Sequence, residues 1–116
     1  MRFMMLVRAD KNTEAGVLPS KELVAAMGRF NEEMVKSGVL LAGEGIQPSS
    51  KGARVKFSRG APTVTDGPFA ETREQLGGYM LIDVKDLDEA IAIAARIPLA
   101  RTSTVEVRPV REGQPS

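Results

Sequence analysis

Both alternating sets of the segment Arg2 to Arg8 are apolar, Phe3, Met5 and Val7 on one side and Met4 and Leu6 on the other. A strand covered on both faces is predicted there. Ala9 to Pro19 breaks the pattern with polar residues and a glycine. The period then changes: Leu23, Met27, Phe30 and Met34 recur at helical spacing behind Ser20, which suits an N-cap, and Gly38 suits the residue just past the helix end. A Met-rich stripe of this kind reads as core packing. Val39 to Ala42 predicts a second buried strand, leading through Gly43-Glu44-Gly45 into a loop from Ile46 to Gly52. Ala53 to Ser58 alternates Val55 and Phe57 against Arg54, Lys56 and Ser58, as a half-exposed strand does. Arg59-Gly60 fits a hairpin tip, with a return through Pro62 to Thr65. Gly78 to Val84 is again apolar on both sides and reads as a central strand. Asp86 and Glu89 have capping-box spacing ahead of a helix with the apolar stripe Leu87, Ala90, Ile91, Ala94 and Ala95, stopped by Pro98. A last strand, Thr104 to Val110, precedes a polar tail from Arg111 to Ser116 that is expected to be disordered.

Strand, helix, strand, hairpin arm, strand, helix, strand is a split βαβ pattern with an extra hairpin arm. It predicts one ferredoxin-like α+β domain over residues 1–110. Two helices cover only one face of such a sheet. Strands that are apolar on both faces need a second cover, and another copy of the same chain can provide it, so a homodimer with its sheets face to face is expected.

Composition narrows the chemistry. A chain of 116 residues buries roughly 65% of its unfolded surface and needs no covalent staple. With no cysteine there is no disulfide, thiolate metal site or cysteine nucleophile. With no histidine the commonest general base near neutral pH is missing, and serine or threonine nucleophiles lack their usual activator. Sixteen basic and 15 acidic residues, net +1 and scattered, leave no footprint for direct nucleic-acid binding. The apolar run Phe3 to Val7 is too short for a signal-peptide core or a membrane span, so a soluble cytoplasmic protein without membrane contact is expected.

The densest cluster of candidate chemistry runs from Asp66 to Tyr79: Asp66-Gly67-Pro68-Phe69-Ala70-Glu71-Thr72-Arg73-Glu74-Gln75-Leu76-Gly77-Gly78-Tyr79. Asp66 is the candidate acid-base or ligand-anchoring group; a carboxyl placed in an apolar cleft would be pushed towards its protonated form. Arg73 is a candidate clamp for an anionic ligand, with Glu71, Tyr79 and, from the upstream loop, Glu44 as further ligand-binding candidates. Each has a structural reading beside it. Asp-Gly-Pro makes a tight turn, Glu71, Arg73 and Glu74 form a solvated ion-pair cluster, Tyr79 packs in the core, and Glu44 is a loop carboxylate in water. Gly77-Gly78 suits a bulge or a close backbone approach, and the stretch lacks the glycine spacing and lysine of a phosphate loop. Glu44, Asp66, Glu71 and Glu74 together would make an all-oxygen metal site, but their spacing fits no known loop pattern. No cofactor is expected.

The same stretch, with Gly43-Glu44-Gly45-Ile46-Gln47-Pro48 upstream and Asp86-Leu87-Asp88-Glu89-Ala90, Ala94-Ala95-Arg96-Ile97-Pro98 and Val105-Glu106-Val107-Arg108-Pro109-Val110 downstream, resembles the YCII-related, DGPF-motif family of small bacterial proteins. The resemblance runs from the first strand to Val110. It implies a ferredoxin-like fold assembled as a dimeric α/β barrel, and it supplies no established activity. A His-Asp pair in a cleft has been proposed as an active site in the broader family. Asp66 matches the acid, the histidine has no counterpart here, and Arg73 stands where the family's usual residue is Lys. Some relatives lie beside or fused to extracytoplasmic-function sigma factors. Two functions are therefore carried forward: a dimer that holds a small polar or anionic metabolite near Asp66, with weak acid-base activity, or a non-enzymatic regulatory module associated with a sigma factor.

Overall fold

The computed structural model of the chain describes residues 1–69, 76–98 and 103–112. Among them the elements run β1 (Arg2–Arg8), α1 (Lys11–Glu14), α2 (Lys21–Lys36), β2 (Leu40–Gly45), a 3-10 turn (Ser49–Lys51), β3 (Ala53–Ser58), β4 (Ala61–Asp66), β5 (Leu76–Asp83), α3 (Leu87–Ala94) and β6 (Val105–Pro109). Four strands form one sheet in the order β2-β5-β1-β6, every neighbour antiparallel, and β3 and β4 pair separately as a hairpin. β5 lies between β1 and β2, and β1 lies between β5 and β6, so each helix-linked pair of strands is split by another. That is the strand order of a ferredoxin-like α+β domain.

Local chemistry explains the element boundaries. The Ser20 side chain accepts the Leu23 N–H at 3.1 Å and starts α2. At its other end Gly38 takes a φ of +77°, the Gly38 N–H donates to Val35 O, and the Val39 N–H donates to Met34 O, each at 3.0 Å. These bonds are a Schellman closure. Asp86 accepts the Glu89 N–H at 2.9 Å, while the Glu89 carboxylate reaches back to the Lys85 N–H at 3.2 Å rather than to the cap residue itself. Arg59 and Gly60 both have positive φ, 54° and 79°, the pair of left-handed residues that closes a two-residue hairpin.

The core lies between the helices and one face of the sheet. Phe3, Met5, Ile82 and Ile97 are its largest fully buried side chains, joined by Phe30, Met34, Met80 and Ala90. Burying each large apolar side chain is worth roughly 1.5–3 kcal/mol. Three sequence expectations change here. The second strand is an edge, exposed beyond Leu40 and longer than predicted, because only β5 pairs with it. The third helix buries Ala90 and Ala94 as expected but turns Leu87 and Ile91 to solvent, and Ile93 is its large buried side chain; Ile97, past the helix end, is buried as well. The hairpin arm is exposed on both faces rather than half-covered. Within 9–19, a short helix α1 appears, capped by Asp10, whose carboxylate accepts the Thr13 N–H and hydroxyl at 2.8 and 2.9 Å.

The other face of the sheet has no helix. In β1 the burial alternates, Phe3, Met5 and Val7 buried and Met4 and Leu6 half-buried. Leu6 pairs with Tyr79 and Met4 with Leu81, which puts these four apolar side chains in two adjoining rows of the open face. Ion pairs edge it: Arg8 and Arg108 both hold Glu106, at 2.9 and 3.0 Å, and Arg2 grips Glu112 with several hydrogen bonds, the shortest at 3.0 Å. The chain's radius of gyration is 16.0 Å, against about 13 Å for a compact chain of this length, and the β3–β4 hairpin is exposed along its whole length.

Candidate functional site

The Asp66–Gly67–Pro68–Phe69 turn leaves the end of β4 and folds back on the 3-10 turn at Ser49. Gly67 explains how closely they meet: a Cβ on Gly67 would lie 1.7 Å from the Ser49 carbonyl oxygen, so no other residue fits without moving the loop. The Gly67 N–H donates to Gly52 O at 3.0 Å, and the Gly67–Pro68 bond is cis. One residue later the Phe69 N–H donates to the Ser49 hydroxyl oxygen at 3.1 Å. Ser49 in turn donates its hydroxyl to Glu14 Oε2 and its N–H to Glu14 Oε1 at 3.0 Å. Three segments far apart in sequence, α1, the loop after β2 and the turn after β4, are thereby tied by one half-buried carboxylate and one hydroxyl.

Around this junction lies a cleft of about 590 Å³, bordered by Glu14, Ser49, Lys51, Arg54, Phe69 and Leu76 among others. The Arg54 guanidinium stands 3.9 Å from the centre of the Phe69 ring, a cation on an aromatic face. Among the described residues two cations, Lys51 and Arg54, and one carboxylate, Glu14, border the cleft, and Ser49 donates to the carboxylate. Guanidinium and ammonium groups are the side chains that contact carboxylate and phosphate oxygens.

The candidates singled out from sequence separate in space. Asp66 is exposed at the end of β4, opposite Ala53 in the hairpin register, and does not border this cleft. Glu44 and Tyr79 face each other across β2 and β5. Strand alternation puts both side chains on the open face, away from Met80 and the core. Glu71 and Arg73 lie outside the described residues. Gly77 is the extra residue where the β1–β5 register shifts between Val7 and Arg8, in keeping with the bulge expected there. Among the described residues no three acidic side chains converge as a metal site would require.

Glu14, Ser49, Lys51 and Arg54 were missed from sequence. Phe69 lies within the Asp66–Tyr79 stretch and Ser49 in the loop from Ile46 to Gly52, but Glu14 is 35 residues from Ser49, and nothing in its local sequence marks it as a partner.

Comparison with known proteins places the chain. Residues 1–114 match the sequence profile of the YCII-related domain. An uncharacterised protein of Rhizobium meliloti is 42% identical over 86 residues, 72% of this chain and 69% of the relative. Among solved structures, 5-chloro-2-hydroxyhydroquinone dehydrochlorinase of Burkholderia phenoliruptrix, in complex with 2,5-dihydroxybenzoquinone, superposes with a TM-score of 0.53. That match covers 97% of this chain and 96% of the other at 12% identity, a likeness of fold. With antiparallel sheets, a split βαβ order and a profile match over nearly all of its length, the chain belongs to the YCII-related domain family.

Proposed function

We propose that the protein binds a small, planar organic anion in the cleft between the Ser49 turn and Phe69, and that this is the site at which it acts on or senses a metabolite. The observation that carries the reading is the junction itself: Gly67 and the Glu14–Ser49–Phe69 hydrogen bonds hold the Asp66–Phe69 turn as one wall of a cleft bordered by Lys51 and Arg54. A wall fixed by hydrogen bonds from three segments is the preorganisation that keeps the ordering penalty of binding low. A fold neighbour that is an enzyme on a small oxygenated ring lends the scaffold a precedent, not a substrate.

Asp66 opens the turn from outside the cleft wall, and a part for it in proton transfer is a second proposal that binding in the cleft does not need. Binding alone is the primary claim, and acid-base activity is a second step built on it. Calorimetric titration with benzoate, salicylate and inorganic phosphate tests the binding. The aromatic anions should bind better than phosphate and lose about tenfold in affinity in Lys51→Ala, the worth of one charge-assisted contact. Equal weak binding of all three, unchanged by that substitution, contradicts the reading.

The functional form we propose is a homodimer through the open sheet face. Met4, Leu6, Tyr79 and Leu81 form an apolar centre, edged by the Arg8–Glu106–Arg108 and Arg2–Glu112 groups, the apolar core and polar rim of an interface. The exposed hairpin adds Val55, Phe57 and Val64. Two strands alone are marginal in water, so packing against a second copy is what would hold the arm in place. Face-to-face pairing of this kind is the dimeric α/β barrel.

A further inference from the structure

A second cavity lies beneath the N-terminal half of α2; the strand backbone at Glu44 and Tyr79 borders it, while register directs their side chains to the other face of the sheet. Register builds it. Gly43 is opposite Met80, and Gly45 is opposite Gly78, which also pairs with Val7, so these glycines lie on the helix-covered face. Further along, Phe30 and Met34 fill the space between helix and sheet. Under Leu23 and Met27 the sheet floor offers no side chain at Gly45 or Gly78, and a cavity of about 450 Å³ remains. That volume is in the range of small-molecule sites.

One polar side chain breaks the apolar wall. Asn31 borders the cavity, and its Oδ1 is shut away from water with no hydrogen-bond partner. An orphaned acceptor of this kind opposes folding unless something pairs with it. In this structure Oδ1 is turned into the wall rather than to the open space, and half a turn about the last side-chain bond, a broad two-fold torsion, is what would present it to an occupant. Glu44, the charged residue among those bordering the cavity, directs its side chain to the other face by strand alternation. Among the described residues the wall therefore offers no counter-ion.

We infer that this cavity is a second binding site, for a neutral molecule with a compact apolar body and a single hydrogen-bond donor, of the phenol or aryl-alcohol class, with Asn31 Oδ1 accepting from the donor. The site is separate from the anion cleft and stands or falls independently of it.

Titration of the full chain with 4-ethylphenol and with 4-ethylanisole, which has the same body without the donor, reads the inference directly. The phenol should bind about fivefold more tightly, the worth of one hydrogen bond to a buried acceptor. Asn31→Leu should remove that preference while keeping the anisole. A Cβ added at Gly45 meets nothing within 4 Å, so Gly45→Leu can fill the cavity without a backbone clash and should abolish binding of both. Lys51→Ala should leave both titrations unchanged. Equal affinities in the unaltered chain, no saturable binding, or binding that survives Gly45→Leu in a folded variant would each overturn the inference. The first and last of these readouts do not depend on how well Asn31→Leu folds.

Discussion

Gly67 and Gly28 show how differently two glycines can be used. At Gly67 the space for a side chain is occupied by the Ser49 backbone, whereas at Gly28, in the middle of α2, a Cβ would meet nothing within 4 Å. Gly67→Ala must therefore push the Asp66–Phe69 turn off the Ser49 loop, with an expected loss of about 1–3 kcal/mol together with loss of anion binding. Gly28→Ala should go the other way and stabilise the chain by about 0.5–1 kcal/mol, because alanine loses less entropy in a helix. Urea unfolding midpoints of the two variants check both signs. Ser49 and Glu14 complete the junction, and their contact is a long-range event that local sequence cannot announce. Asp66, the most conspicuous acid in the sequence, stands at the edge of this arrangement and exposed, while the less conspicuous Glu14 is the carboxylate on the cleft wall.

At the scale of elements, most of the fold was legible because the chemistry is local. Ser20, Gly38, Arg59-Gly60 and Asp86 each mark a boundary by the bond or φ value it allows, and each operates where the sequence placed it. What was not legible depends on neighbours. α1 is four residues long, too short for any periodicity to reveal it. The edge position of β2 follows from sheet order, which its own apolar residues do not encode. The stripe of α3 was misjudged because Ile91 and Ile93 are equally apolar, and only docking on β1 and β6 selects Ile93. The pairing of β1 with β6 also carries a pH signature. Hydrogen bonds from Arg108 and then Arg8 hold the Glu106 carboxyl below its ordinary value of 4.5, and the Thr13 N–H and hydroxyl do the same for Asp10 below 3.8. A carboxyl whose folded pKa is depressed stabilises fully above the unfolded value and loses that contribution as pH falls through the folded one. The melting temperature should accordingly drop as pH is lowered from about 6 to about 3, and Glu106→Gln should flatten part of that acid limb. An acid limb identical in the variant would show that the exposed cluster contributes nothing.

At the scale of the molecule, the proposed homodimer rests on β1 and β5 having two apolar faces and on an exposed hairpin arm. No helix among the described residues is long and apolar enough to cross a membrane. Sedimentation equilibrium should therefore give twice the 12.5 kDa chain mass, and Leu6→Glu, which puts a charge at the centre of the open face, should return the single-chain mass without unfolding it. A single-chain mass for the unaltered protein would remove the homodimer.

The central claim is that the cleft at the Ser49–Phe69 junction is where a small anion binds, and backbone amide NMR during a salicylate titration tests it residue by residue. Saturable shifts centred on Ile46 to Arg54 and Phe69, weakened in Lys51→Ala, are the predicted result. Saturable shifts centred elsewhere, or amides in that loop that stay fixed throughout the titration, would contradict it.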